Sequence, residues 1–146
     1  MDNLQKFAER LSELLAERGM KPAHLARELG VTRAVIGRYV NGEHLPSLDM
    51  AVRLSACFGC SIDFLLGRSD AGSDFTPLPP PPFRERLTFL LTFFRTTKYR
   101  LIREAGLDES TVYDWQSGRI TPGLNSLIAL AEHFGCSVEF VLGREN

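Results

Sequence analysis

The chain has 146 residues, 44% of them hydrophobic and 24% charged, with a net charge of −1 at pH 7 and a pI near 6.3. That length holds one ordinary domain or two small ones, and no apolar run approaches the roughly 20 residues that cross a bilayer. A pI on the acidic side lacks the basic excess usual in nucleic-acid-binding domains, so any such contact depends on where the basic residues sit. Three cysteines, an odd number, argue against a disulfide framework and suit a reducing compartment. The start, MDNLQKFAERLSELLAERG, is acidic and amphipathic and lacks the basic start and apolar block of a secretory signal, which points to a cytoplasmic protein.

The first predicted helix runs from about Leu4 to Arg18, with Leu4, Phe7, Ala8, Leu11, Leu14 and Leu15 repeating at three and four. Gly19 ends it. Pro22 stands where proline is tolerated, at the first position of a second helix that turns Leu25, Ala26 and Leu29 inward and breaks at Gly30. Thr32 is the expected N-cap of a third helix that closes at Gly42. Pro46 and Ser47 restart the chain into a fourth helix burying Met50, Ala51, Leu54 and Phe58. Gly59 stops it, and Ser61 caps a short fifth helix, IDFLL, that ends at Gly67.

From Asp70 to Pro82 the composition changes to a linker whose four consecutive prolines, Pro79 to Pro82, impose polyproline II. A dozen residues at about 3.1 Å each make a stiff spacer reaching on the order of 37 Å. The second half then repeats the first without a gap at an offset of 76 positions, Phe7 returning as Phe83, Leu25 as Leu101, Ile36 as Val112, Tyr39 as Trp115 and Pro46 as Pro122. Phe58-Gly59-Cys60-Ser61 returns as Phe134-Gly135-Cys136-Ser137, and both halves finish on Leu-Gly-Arg. The repeat decides for two all-α domains of five helices each, residues 1–69 and 83–146, joined by 70–82. Domains of roughly 65 residues are near the lower limit of what folds alone.

The centre of each half is a stretch of two short helices broken at a glycine, LARELGVTRAVIGRYVNG from Leu25 and LIREAGLDESTVYDWQSG from Leu101. Each reads as a helix-turn-helix with a buried face and a polar outer face. With Leu25-Ala26, Gly30-Val31, Ile36, Asn41-Gly42, Pro46-Ser47 and the closing Leu-Leu-Gly-Arg, each half resembles the phage repressor and Cro family of helix-turn-helix proteins. The resemblance implies a bacterial or phage-encoded, nucleoid-associated regulator of transcription that binds double-stranded DNA, usually as a homodimer, with no cofactor.

In such a module the third helix enters the major groove and the start of the second meets phosphate. Carried over, the base-facing residues are Thr32, Arg33, Ala34, Gly37 and Arg38, the arginines suited to guanine O6 and N7; Asn41, Lys21 and His44 would meet backbone. The glutamine of the family at the start of the second helix is replaced by Pro22 and Lys98. Its buried arginine and glutamate pair is replaced by Leu15 with Val40, and by Leu91 with Gln116, a change that is often neutral for stability. In the second half Thr32, Arg33, Gly37 and Arg38 become Asp108, Glu109, Tyr113 and Asp114. Asp108 suits an N-cap, whereas Glu109 and Asp114 oppose a polyanion, although a carboxylate can accept from cytosine N4. A second DNA site would therefore draw on Lys98, Arg100, Ser110, Tyr113 and Arg119, with Arg103 alongside.

Glu13, Glu17 and Arg18 become Phe89, Phe93 and Phe94. Phe89 and Phe93, four apart, share a helical face, which suggests self-association or packing between the halves; Phe94 also suits a larger core. Cys57, Cys60, His133 and Cys136 form a set that zinc could accept if the halves met, but Cys60 and Cys136 occupy a position expected to face the core. No catalytic constellation stands out: His24, His44 and His133 have no triad partners, and no phosphate-binding loop is present. His24 is expected on the outer face of its helix. The leading expectation is a non-enzymatic DNA-binding regulator whose linker reach compares with the roughly 34 to 36 Å between half-sites. The alternative is an antitoxin-like or adaptor module that binds a protein partner instead.

Overall fold

Apolar residues three and four apart bury one face of the first helix, α1 (Asn3–Glu17), through Phe7, Ala8, Leu11, Leu14 and Leu15. Asp2 caps it, its carboxylate accepting from the Gln5 N–H at 2.8 Å. The computed structural model describes residues 2–145. Among them are ten helices and no strand, and the chain divides into two units, Met1–Thr76 and Pro77–Asn146.

In the first unit α1 is followed by α2 (Pro22–Leu29), α3 (Arg33–Val40), α4 (Leu48–Phe58) and α5 (Ile62–Leu65). Gly30 separates α2 from α3 at φ +68°, a left-handed conformation that a residue with a Cβ rarely takes. The hydroxyls of Thr32, Ser47 and Ser61 then cap α3, α4 and α5, accepting from the N–H three residues on. α3 packs on both α2 and α1. Its fully buried Ile36, and Tyr39 edge-on to Phe7 at 5.8 Å, fix its rotation.

The second unit repeats this order as α6 (Phe83–Phe93), α7 (Lys98–Ala105), α8 (Glu109–Ser117), α9 (Leu124–Phe134) and α10 (Val138–Leu142). Phe83 meets Trp115 edge-on at 5.9 Å, the counterpart of the Phe7 and Tyr39 contact. α6 starts four residues later in the repeat than α1 because Pro79 to Pro82 occupy the register of Asn3 to Lys6 and offer no N–H to a helix ladder. The stretch read as a linker is tied to both units. The Ser61 N–H donates to the Gly72 carbonyl at 2.8 Å and the Phe75 N–H to that of Gly59 at 2.9 Å; the Leu78 N–H donates to that of Arg144 at 2.8 Å.

The closing Leu-Gly-Arg has a structural role. In each unit the arginine turns back to an acid five residues earlier, Arg68 Nε to Asp63 Oδ1 at 3.1 Å and Arg144 Nε to Glu139 Oε2 at 3.3 Å. A second arginine joins the first helix to the last, Arg10 donating to the Phe64 carbonyl at 2.7 Å and Arg86 to that of Phe140. The side chains of Glu139 and Arg144 are only 1% and 6% exposed. Removing one partner of such a pair leaves a buried charge, so Arg144→Ala should lower the unfolding free energy by about 3 kcal/mol. Urea denaturation followed through Trp115, the only tryptophan, would measure it. Asn125→Ala, exposed on α9, should change it by less than about 0.5 kcal/mol.

Candidate nucleic-acid interface

Because α3 buries Ile36 and Tyr39, its opposite side is presented to solvent. Arg33, Ala34, Gly37, Arg38 and Asn41 spread over about 140° of that side, at about 100° per residue. Arg33, Ala34, Arg38 and Asn41 are exposed and Gly37 is half-buried. Among the described residues neither arginine makes an ion pair, so both guanidinium groups keep their donors for something outside the fold. Thr32, also exposed, uses its hydroxyl on the Val35 N–H at 3.4 Å and leaves its methyl outward. A hollow of about 290 Å³ beside α3, lined by Val35, Arg38, Tyr39, His44 and Leu45, brings Arg38 and His44 to one rim. Lys21 stands exposed at the N-cap of α2 and makes no capping bond, and His24 pairs with Glu28 at 3.2 Å on the outer face. A Cβ placed on Gly37 would meet nothing within 4 Å, so the protein itself does not require glycine there.

The corresponding side of α8 is chemically different. Asp108 caps the helix, accepting from the Thr111 N–H and hydroxyl, both at 3.2 Å, and from the Ser110 hydroxyl. These bonds, that of Ser110 first, hold its carboxyl below the ordinary value of 3.8. The capping contribution is therefore intact above the ordinary carboxylate range and lost only as pH falls through the depressed value. Asp114 lies 3.8 Å from Arg119. Lys98 donates to Gln116 Oε1 at 2.8 Å and sits 3.7 Å from the centroid of the Tyr113 ring, and Arg100 pairs with Glu104 at 3.3 Å. Gln116 thus turns outward to Lys98 and is exposed. Tyr99, Tyr113 and Ile120 are 68%, 48% and 47% exposed. Tyr99 and Ile120 escaped the reading of the sequence, although their register with Ala23 and His44 placed them on this side.

Away from α8, Phe89 and Phe93 are exposed and stacked at 5.5 Å. Phe140, which the sequence did not single out, lies 6.2 and 5.3 Å from them, and Phe94 stacks on Phe134 at 4.4 Å. In the first unit the position of Phe94 is held by Arg18, which donates to the Phe58 carbonyl at 2.8 Å. Phe94 is half-buried, part core and part surface.

The cysteines divide. Cys60 is buried as expected, whereas Cys136 is only half-buried, a departure from the core position inferred for both. Cys57 Sγ lies 3.6 Å from Glu28 Oε2, and burial, followed by that carboxylate, pushes its thiol up, against the thiolate a metal needs. Among the described residues no group of three or more His, Cys, Asp or Glu is placed to hold a metal ion. Among them, too, no helix is long and apolar enough to cross a membrane.

Known families and proteins match both units. The helix-turn-helix family matches residues 11–65, and the Cro/C1-type HTH DNA-binding domain matches residues 94–145. The chain is 34% identical over 76 residues to the SPbeta prophage-derived, uncharacterized HTH-type transcriptional regulator YonR of Bacillus subtilis, covering 52% of this chain and 70% of that protein. It is 44% identical over 50 residues to an HTH-type transcriptional regulatory protein of Pyrococcus furiosus, covering 34% of this chain and 16% of that one. No solved structure gives a significant match. With the motif in both units, and with one such relative matched over more than two thirds of its length, this chain belongs to the Cro/C1-type helix-turn-helix family of transcriptional regulators.

Proposed function

We propose that this protein regulates transcription by reading a specific DNA sequence through the major groove with α3. The observation that carries the reading is the exposure of Arg33 and Arg38 without intramolecular ion pairs on the outer side of that helix, among the described residues. Each can donate two parallel hydrogen bonds to guanine O6 and N7, while Thr32 and Ala34 offer methyl contact to thymine. Lys21, Asn41 and His44 flank the helix and meet phosphate, fixing register without reading sequence. Gly37 fits the same picture. Glycine inside a helix costs about 1 kcal/mol relative to alanine, and its open surroundings are explained by close approach of the helix backbone to bases. The relation to a prophage-derived regulator supports action in the cytoplasm of a bacterium, at the nucleoid.

The second unit contributes self-association. Exposed, mutually stacked Phe89 and Phe93, which lie against Phe140, replace Glu13 and Glu17 at two solvent-facing positions of the first unit, which is how an interface differs from ordinary surface. A dimer would present two copies of α3.

The whole 146-residue chain should bind an operator found by selection, with an affinity that falls steeply with salt. Arg33→Ala and Arg38→Ala should each weaken specific binding by about 1–3 kcal/mol at unchanged fold; fluorescence anisotropy across a salt series measures both, and equal affinity of the variants and the parent would overturn the assignment. Gly37→Ala should raise stability by about 0.5–1 kcal/mol and weaken DNA binding, so a variant that gains stability and keeps full affinity would remove the glycine from the interface. Phe89→Glu with Phe93→Glu should shift sedimentation toward the monomer; an unchanged sedimentation coefficient counts against the aromatic face as the dimer contact.

A further inference from the structure

We infer that α8 reads a second DNA block unlike the one read by α3, with Glu109 selecting cytosine, so that the operator is composite. This rests on the chain being a DNA-binding regulator. In the sequence, Glu109 and Asp114 on α8 oppose a polyanion, and the structure gives Asp114 a partner. Asp108 is committed to the N-cap of its own helix, and Asp114 is matched by Arg119 at 3.8 Å. Glu109 remains, exposed in the first turn of α8 and without an ion pair among the described residues. It occupies the repeat register of Arg33. A guanidinium there donates to guanine, and a carboxylate accepts from the N4 amino group of cytosine.

The cations of the two units are also distributed differently. In the first unit two arginines lie on the recognition helix itself. In the second, Lys98 and Arg100 lie in the first turn of α7, where α2 has Pro22 and His24, while Arg103 in its last turn repeats Arg27 and Arg119 is paired with Asp114. That arrangement places positive charge where phosphate is met and leaves the groove side to Glu109 and Tyr113. The ion pair of Arg100 with Glu104 is an exposed one between neighbouring turns, and the bond from Lys98 to Gln116 is to a neutral amide, so both cations keep most of their attraction for phosphate. Tyr113, 48% exposed where α3 has Gly37, keeps α8 from seating at the depth open to α3 and offers an apolar edge to a thymine methyl. The two helices therefore cannot prefer the same sequence.

Selection from a random duplex library with the 146-residue chain, its Glu109→Gln variant and its Arg33→Ala variant tests this. The parent should enrich sites made of two unlike blocks. Glu109→Gln should lose the preference for cytosine at one position of one block, by about tenfold, leaving the other block untouched, and Arg33→Ala should do the reverse. Glu109 is exposed, so circular dichroism should be unchanged in its variant. Enrichment of one block, or of two identical blocks, that Arg33→Ala erases and Glu109→Gln does not alter would overturn the inference and leave the α3 reading standing. Enrichment of nothing by any of the three proteins would overturn both and turn the search to a protein partner.

Discussion

The structure depends on how a helix of eight or nine residues is held. Helices of that length are marginal in water by themselves, so α3 and α8 owe their existence to the face they bury. Ile36 and Tyr39 in one unit, and Val112 and Trp115 in the other, are buried against a first helix whose leading aromatic residue meets α3 or α8 edge-on. That contact sets the rotation of the helix, and the rotation determines which side chains face outward. The outward residues can change without loss of the fold because they lie on the side that holds nothing together.

The internal repeat makes this freedom visible. Most buried positions, the caps of the third and fifth helices and the arginine pairs of the last helix recur in both units, whereas the outer sides diverge: two arginines and a glycine on α3, a glutamate and a tyrosine on α8. A second divergence lies on α6, where phenylalanines stand in place of Glu13, Glu17 and Arg18. The substitution of Phe94 for Arg18 exchanges hydrogen bonds to the end of α4 for ring stacking on Phe134, a different way of closing the same corner.

Bulk charge is a poor guide to such a protein because many of its cations are committed to the fold. Arg10, Arg18, Arg53 and Arg86 donate to main-chain carbonyls, and Arg68 and Arg144 are locked to buried or nearly buried acids. The carboxylates are committed likewise, Asp2 and Asp108 to helix caps and Asp63 and Glu139 to the closing pairs. What governs contact with a polyanion is the small remainder of exposed charge and the helix it stands on.

The sequence by itself determined the two all-α units, the helices of the first nearly to the residue, and the resemblance to helix-turn-helix regulators. Apolar spacing, capping hydroxyls and glycine stops act within one or two turns, and a gapless repeat states most of them twice. It also placed Arg33 and Arg38 outward, since a period of 3.6 residues leaves no other side once Ile36 and Tyr39 are buried. Contacts between residues far apart in the chain were decided only by the tertiary structure: Arg10 reaching the Phe64 carbonyl, Phe140 completing the face begun by Phe89 and Phe93, and residues 72 to 78 tied back onto their own units. Only there, too, did Asp114 acquire Arg119 while Glu109 was left exposed. Periodicity specifies which way a side chain points; it carries no information about what the chain brings back to meet it.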